Sequence, residues 1–232
     1  MDPRHLDHLS ESQKEALKNY LYDFLTDARK ASIDRVLSER TRKLCVVLED
    51  VYQGHNASAV MRSADAFGIQ DLHTIESRND YSIKKDIAMG TDKWITRTSY
   101  SNTKDCLKKL KGQGYLIVGT TPHPPTLSLP DFKMTQKTAL IFGTELTGLS
   151  SEALDQCDVR LSIPMRGFAE SFNISVSAAL CMYTLSQLVR ETPDWQLSPK
   201  DRRDLEILWA MRSASSGAPL TEAWIAKNVK KK

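Results

Sequence analysis

The sequence predicts an α/β protein whose central sheet is mostly parallel and is covered by helices on both faces. Short β-rich runs alternate with helical segments between about residues 44 and 190, which is the order that a parallel sheet with crossover helices produces. Polar loops follow directly after several of these runs. Because ligands of such sheets bind beyond the carboxyl ends of the strands, we expect the functional residues in these loops.

Six β-rich runs are the predicted strands, and they cover residues 44–48, 72–75, 94–98, 115–119, 139–142 and 159–163. The helical patterns between and after them cover residues 57–67, 102–112, 151–156 and 174–190. In the last helix, Ile174, Ala178 and Cys181 are separated by four and three positions, the spacing of a buried helix face. We therefore predict a central α/β domain over residues 44–191.

Helical extensions are predicted on both sides of this domain, over residues 1–43 and 192–232. In the first extension, Ser10 and Gln13 have the spacing of a capping box. One apolar stripe follows them, formed by Leu17, Leu21, Phe24 and Ala28. The second extension holds three predicted pieces, namely a helix at 202–211, a linker at 213–219 and a short amphipathic segment.

Positive charge is concentrated in the extensions, although the net charge of the chain is only +3. Between residues 29 and 43 the basic residues are Arg29, Lys30, Arg35, Arg40, Arg42 and Lys43. The last lysines of the chain are Lys227, Lys230, Lys231 and Lys232. Such clusters contact nucleic-acid phosphates, so we predict that the extensions bind RNA. A solvated helix surface explains the same charges, and charge alone does not decide between the two.

Several classes of protein are disfavoured by the sequence. No apolar run approaches the roughly 20 residues that span a bilayer, and the first residues lack the basic and apolar regions of a signal peptide. We therefore expect a cytoplasmic protein with no membrane partner. The four cysteines are far apart and form no CxxC pair. Cys45 and Cys181 lie within apolar segments, where cysteine behaves as a small apolar residue, so we expect neither a metal site nor a redox pair.

The first motif lies at residues 49–68, directly after the first predicted strand. Asn56 is placed to cap the next helix with its side-chain oxygen, and Arg62 lies six positions further along. Taken alone, this pattern favours a capped surface helix that bears an arginine. In a site at the carboxyl edge of the sheet, the planar fork of donors of Arg62 would instead suit a phosphate.

The second motif, at residues 139–150, is a strand followed by a loop in which Gly143 and Gly148 bracket Glu145. Glycines permit close approach of a ligand, but an ordinary turn also favours them. The loop is not a phosphate-binding P-loop, because the Lys-Ser/Thr pair is missing and an acid would repel phosphate.

The third motif, at residues 161–180, leads through Pro164 and Gly167 to Ser171 and Asn173 at the start of the long helix. A helix needs one such cap, so the other polar residue is available for a ligand. No Ser-His-Asp set is predicted, since His55 is the one histidine within the three motif loops. No GxGxxG sequence follows the first strand, which argues against a dinucleotide enzyme.

Taken together and in this order, the motifs resemble those of the SpoU/TrmH family of SPOUT methyltransferases. The family's N-x5-R motif is similar to residues 56–62, and its G-x-E-x-x-G loop is similar to residues 143–148. Its I-P-M-x-G signature is similar to residues 163–179, where Phe172 replaces the usual leucine. The resemblance covers residues 44–190 and is nearest to the enzymes that methylate the guanosine 2′-oxygen at position 18 of the tRNA D-loop.

The resemblance implies a parallel-sheet SPOUT fold with a C-terminal trefoil knot, a rare exception to the rule against knotted chains. It implies S-adenosyl-L-methionine as the cofactor, tRNA as the substrate, and a homodimer in which Arg62 acts at the cofactor of the other subunit. The implied cofactor-binding residues are Thr120, Gly143, Ile163, Met165, Gly167 and Phe172. The implied catalytic residues are Arg62, Asn56, Glu145, Ser171 and Asn173.

The implied reaction transfers a methyl group from a sulfonium to a ribose 2′-oxygen. Arg62 is either the base or the group that holds a phosphate and stabilises the developing alkoxide, since a guanidinium keeps its proton in proteins. One alternative is a ribosomal-RNA methyltransferase of the same family. Another is a knotted RNA-binding protein without catalytic activity, against which the complete set of polar motif residues argues.

Overall fold

The computed structural model describes residues 6–51, 53–77 and 90–229. The chain divides into two compact units. The larger is Thr41–Trp195, and the smaller joins the N-terminal residues up to Arg40 with the C-terminal residues from Gln196 onward. The two extensions, which are far apart in the sequence, therefore belong to one unit. The predicted basic residues Lys230, Lys231 and Lys232 lie outside the described residues.

A sheet of seven strands, all paired in parallel, runs through the described part of the larger unit. The strands are β1 (Thr41–Glu49), β2 (Ile69–Ile75), β3 (Thr96–Tyr100), β4 (Leu116–Thr120), β5 (Leu127–Ser128), β6 (Thr138–Phe142) and β7 (Val159–Ser162). Their order across the sheet is β3-β2-β1-β6-β4-β7-β5. Every residue of β6 is buried, as expected for a strand covered on both faces. The predicted α/β fold class is confirmed.

The described helices are α1 (Glu11–Tyr22), α2 (Asp27–Ser38), α3 (Gly54–Ala66), α4 (Thr103–Gly112), α5 (Ser151–Gln156), α6 (Ile174–Arg190), α7 (Pro199–Ser213) and α8 (Gly217–Asn228). The predicted bounds of α5 and α6 agree with these residues. Helix α3 begins three residues earlier than predicted, which changes the position of Asn56 within it. None of the described helices is long and apolar enough to cross a membrane.

Strand β1 begins three residues before its predicted start, because the first residues of the strand are polar. Thr41 donates its hydroxyl to the carbonyl of Trp195 at 2.6 Å. Arg42 donates to the carboxylate of Asp71 on the neighbouring β2 at 2.7 Å. Polar contacts within the larger unit thus extend β1 beyond its apolar run. The short strand β5 was not predicted, since two residues give no periodic pattern.

Alternating residues of β1 supply two apolar cores, one on each face of the sheet. Leu44, Val46 and Leu48 belong to the core that includes residues of α3 and α6. Cys45 and Val47 belong to the core that includes residues of α4 and α5. This division follows from the two-residue period of a strand, and it confirms the interpretation of Cys45 as a small buried apolar residue.

In the smaller unit, the predicted capping box at Ser10 and Gln13 is confirmed. The apolar stripe beyond it is right for Leu17 and Leu21, which are buried, and wrong for its second half. Helix α1 ends at Tyr22, and Thr26 caps a second helix by accepting from the backbone of Arg29. The restart changes the phase of the helix, so Phe24 and Ala28 are exposed. The buried residues are instead Leu25, Ile33 and Leu37.

The predicted linker at 213–219 is also wrong in part, because α8 begins at Gly217. A Cβ atom at Gly217 would lie 2.0 Å from the carbonyl oxygen of Met211. Glycine thus allows α7 and α8 to approach closely at their junction. The N-terminal and C-terminal parts of the smaller unit are joined by ion pairs between α1 and α7, such as Lys14 with Asp204 at 2.7 Å.

Two of the predicted basic residues are engaged within the protein. Arg40 is 1% exposed, and its guanidinium lies 5.3 Å from the ring centroid of Trp209. Arg42 forms the bond to Asp71 described above. In contrast, Arg29 and Arg35 of α2 are exposed. The positive charge available to an RNA is therefore smaller than the sequence indicates.

Candidate functional site

A cavity of about 580 Å³ lies at the carboxyl ends of β4, β6 and β7. These strands are neighbours in the sheet, so the loops that leave them converge at one edge. Eight of the eleven predicted site residues line the cavity, namely Thr120, Gly143, Glu145, Ile163, Met165, Ser171, Phe172 and Asn173. Asn56, Arg62 and Gly167 lie outside the lining.

The loop after β6, residues 143–149, forms one wall of the cavity and has a tightly constrained backbone. The amide of Thr144 donates to the carbonyl of Gly148 at 3.0 Å, and the reverse bond has the same length. Gly148 has a positive φ of 69°, and a Cβ at Gly143 would lie 2.2 Å from the carbonyl carbon of Gly148. Both glycines are therefore required by the shape of this loop.

Asn56 does not cap α3, because the cap position is Gln53 and Asn56 lies in the first turn of the helix. Its buried side chain instead donates from Nδ2 to Oε1 of Glu145 at 2.6 Å. The same nitrogen is 3.2 Å from Oε1 of Gln53. The first motif thus contacts the second directly, and Asn56 reaches the cavity wall through Glu145.

The third motif provides both a cap and an exposed polar group, as the sequence suggested without deciding which was which. Asn173 caps α6, because its Oδ1 accepts from the backbone of Ser175 at 2.8 Å. Ser171 is exposed and lines the cavity. The side chain of Phe172, between them, is partly exposed on the same wall.

Thr120 and Arg62 differ in how the structure uses them. Thr120 is the last residue of β4, and its hydroxyl donates to the carbonyl of Ile141 at 2.9 Å. Arg62 is exposed on α3, which packs against α6. Arg62 does not line the cavity. It can therefore act in catalysis only if a bound substrate, or a second copy of the chain, brings the reacting atoms to it.

His123 lines the cavity although it is not among the residues predicted from the sequence. It belongs to the loop after β4, so the strand-exit rule that identified the three motifs was also the signal that pointed to this residue. Two cysteines of neighbouring elements, Cys157 and Cys181, do not line the cavity. Burial raises the pKa of the Cys157 thiol to about 11 and that of Cys181 to about 12, so both stay protonated at neutral pH.

Comparison with known proteins identifies the family. Residues 43–183 match the SpoU rRNA Methylase family, and the chain belongs to that family. Over 188 residues it is 40% identical to the tRNA (guanosine(18)-2'-O)-methyltransferase of Borreliella burgdorferi, a match that covers 81% of this chain and 86% of that relative. The resemblance drawn from the three motifs is confirmed.

Solved structures agree with this assignment. The TrmH/SpoU tRNA modifying enzyme of A. aeolicus superposes with a TM-score of 0.68 at 26% identity, covering 88% of this chain and 100% of that one. The SpoU methyltransferase AviRb from Streptomyces viridochromogenes, solved in complex with AdoMet, superposes with a TM-score of 0.60 at 26% identity. That match covers 68% of this chain and 62% of AviRb.

Proposed function

We propose that this chain is an S-adenosylmethionine-dependent tRNA 2′-O-methyltransferase that acts on a guanosine at position 18 of the D-loop. One observation carries the proposal: residues from the second and third motifs line one cavity, and the first motif bonds directly to its wall. The names of the tRNA guanosine-18 relatives support the choice of substrate. AviRb, a structural neighbour with AdoMet bound, supports the choice of cofactor.

The cavity suits a ligand of the cofactor's size. Its volume of about 580 Å³ falls in the usual range of small-molecule sites, about 300–1,000 Å³. The glycine-bounded loop lets a ligand approach the backbone closely. Five of the predicted cofactor residues line the cavity and would hold the cofactor, namely Thr120, Gly143, Ile163, Met165 and Phe172. The sixth, Gly167, lies outside the lining in the loop that leads from Met165 to Phe172. When bound, S-adenosylmethionine supplies a methyl group already activated by its sulfonium.

The remaining task of the protein is to position the ribose 2′-hydroxyl and stabilise the charge that develops on its oxygen. We assign Arg62 to an RNA phosphate and the developing alkoxide, because its exposed guanidinium offers a fork of donors. Glu145, held by Asn56, and the exposed Ser171 orient the ribose at the cavity. Asn173 fixes the start of α6 beside them.

We also propose a homodimer formed over the exposed face of α6. Val176, Leu180 and Tyr183 are 44%, 40% and 58% exposed, and their spacing places them along one side of the helix. An apolar stripe of this kind is typical of an interaction surface. Since α3 packs against α6, an interface there would bring Arg62 of one copy close to the partner, which supports its action at the partner's cavity.

The smaller unit is the proposed contact for the rest of the tRNA. Arg29, Arg35 and Lys227 are exposed on its helices, and such residues contact phosphates. The proposal includes the trefoil knot implied by the family and a cytoplasmic location, where tRNA is the substrate. The alternative substrate is a ribosomal RNA, which would be methylated on a ribose 2′-oxygen by the same reaction.

The test is incubation of the protein with methyl-labelled cofactor and a panel of tRNA and ribosomal-RNA transcripts. We expect one 2′-O-methylguanosine, located by mass spectrometry at position 18 of the tRNA. If only ribosomal RNA is methylated, the substrate of the enzyme is ribosomal RNA and the proposed tRNA substrate is wrong. No 2′-O-methyl product on any transcript would refute it.

A further inference from the structure

Glu49, the last residue of β1, carries a carboxylate that is almost completely enclosed. The residue is 3% exposed, and it ends a strand that is otherwise apolar from Leu44 onward. Its Oε1 accepts from the hydroxyl of Thr103 at 2.6 Å and from that of Ser150 at 2.7 Å, while Oε2 accepts from the backbone amide of Ser150 at 2.9 Å. A buried charge is tolerated only when it is paired or hydrogen-bonded in this way.

Ser150 is the structural link between Glu49 and the cavity wall. It caps α5, since its hydroxyl accepts from the backbone of Ala153 at 3.1 Å. It also directly follows Gly148 and Leu149, both of which line the cavity. By binding the amide and the hydroxyl of Ser150 at once, Glu49 fixes the point at which the loop of residues 143–149 ends.

A second contact holds the middle of the loop of residues 143–149, and it comes from α3, the helix that follows β1. Asn56 bonds to Glu145 at 2.6 Å, and Asn56 and Glu49 stand at the two ends of the connection between β1 and α3. The loop is therefore anchored both within its length and at its end. The bonds between Thr144 and Gly148 fix the shape within the loop, so these two anchors decide how much of the time the loop as a whole lies in the position that binds a ligand.

We propose that Glu49 is a positioning residue for the cofactor: it does not line the cavity, and it acts by holding the loop in the conformation that binds S-adenosylmethionine. The inference rests on the proposed function and extends it to a residue of the first motif that is not among the eleven predicted site residues. A fall in the fraction of molecules with the competent loop raises the apparent Kd in inverse proportion. Loss of the contacts of Glu49 should therefore raise the measured Kd for S-adenosylmethionine.

The test compares Glu49→Gln, Ser150→Ala and Thr103→Val with the wild-type chain. Glu49→Gln keeps the size of the side chain but turns an amide NH2 toward one of the three donors. We expect the Kd for S-adenosylmethionine, measured by calorimetry, to rise by about tenfold, which corresponds to about 1.4 kcal/mol. Ser150→Ala keeps the backbone bond and should raise the Kd by about threefold.

Thr103→Val is the matched control, because it removes one hydrogen bond to Glu49 on the side of α4 and leaves Ser150 untouched. We expect it to lower the Tm while the Kd stays within about twofold of wild type. For Glu49→Gln, the KM for cofactor should rise while the KM for tRNA is unchanged. A purely structural role for Glu49 would move the Tm without this split.

The possible outcomes separate the inference from the proposed function. If the wild-type chain binds no S-adenosylmethionine, the proposed function fails and the inference fails with it. If the wild type binds and folded Glu49→Gln binds equally well, the inference alone is wrong. Should Glu49→Gln not fold, weaker binding by Ser150→Ala than by Thr103→Val supports the inference, and equal binding by these two variants overturns it.

Discussion

The amide nitrogen of Asn56 lies 2.6 Å from a carboxylate oxygen of Glu145, which is 89 positions further along the chain. Asn56 is 2% exposed whereas Glu145 is exposed, so the bond ties the surface loop to a buried side chain in the first turn of α3. It joins α3, the helix that carries Arg62, to the loop that forms a wall of the cavity. This hydrogen bond therefore couples the position of the helix that carries Arg62 to that of the loop at the cofactor cavity.

The charge state of this pair can be separated from its geometry by substitution. Asn56→Asp would place two carboxylates in contact, and we expect their repulsion to weaken cofactor binding by at least about tenfold at neutral pH. Glu145→Gln retains an acceptor for Asn56 and should bind cofactor within about threefold of wild type. Calorimetry with S-adenosylmethionine measures both, and equal affinities for the two variants would contradict the role given to the bond.

Arg62→Ala should lower turnover by about 100-fold or more, because it removes donors aimed at the charge that develops in the reaction. The Kd for cofactor should not change, since Arg62 lies outside the cavity lining. Arg62→Lys is the matched variant: it keeps the charge without the planar fork and should recover only part of the activity. Loss of cofactor affinity in Arg62→Ala would show that the residue belongs to the cofactor site instead.

Gly143→Ala should abolish cofactor binding and destabilise the loop. The added methyl group would lie 2.2–2.3 Å from backbone atoms of Gly148 and Leu149, and such overpacking typically costs about 1–3 kcal/mol. Gly112→Ala is the control, because it lies at the end of α4 with nothing within 4 Å of the added atom. Thermal unfolding and calorimetry should separate the two variants, and normal cofactor binding by Gly143→Ala would disprove the close approach.

Tyr183→Asp tests the proposed dimer. A charge at the most exposed residue of the apolar stripe on α6 should shift the chain toward monomer, as measured by sedimentation at micromolar concentration. Phe24→Asp, which alters a 49% exposed aromatic residue in the smaller unit, should leave the association state unchanged. If Tyr183→Asp sediments as the wild type does, the α6 face is not the interface.

The free energy of unfolding should decrease as the pH is lowered through a range set by the pKa of His73. Burial first, and then the charges of Lys109 and Arg42, lower the pKa of His73 from 6.5 to about 4. Between these values the unfolded chain binds more protons than the folded one, so stability is complete above pH 6.5 and is lost as pH falls toward 4. At about 1.4 kcal/mol per pKa unit, the loss is on the order of 3 kcal/mol.

His73→Gln should flatten this dependence. The measurement is the free energy of unfolding by urea at a series of pH values between 4 and 7. Parallel curves for the variant and the wild type would show that other groups account for the loss.

Features that depend on short-range chemistry were predictable from the sequence. The capping box of Ser10 and Gln13, the bounds of α6 and the burial of Cys45 each depend on neighbouring residues or on a simple period. The phase change after Tyr22 was not predictable, because the stripe continued in the sequence while a competing cap at Thr26 interrupted the helix.

Within the site, the sequence located the right loops but could not assign the partners. An asparagine before a helix has a local explanation as a cap, and its real partner, Glu145, becomes a neighbour only when β1 and β6 pair. Ser171 and Asn173 were equivalent candidates until the backbone of α6 selected Asn173. Glu49 is the first residue of the first motif, but it was not selected as a site residue because an acid at a strand end has no spacing to other polar residues that indicates a partner.

The pairing of Lys14 with Asp204 bridges 190 positions, and this separation bears on the order in which the chain folds during synthesis. Helix α1 leaves the ribosome long before α7 exists, so its buried face, with Leu17 and Leu21, has no α7 to pack against while the sheet is being made. The residues of the larger unit are made in that interval, whereas the smaller unit cannot form until the residues from Gln196 onward have been made. A chain truncated after Trp195 would therefore contain every strand of the sheet, while α1 and α2 would lack α7, the helix that they contact.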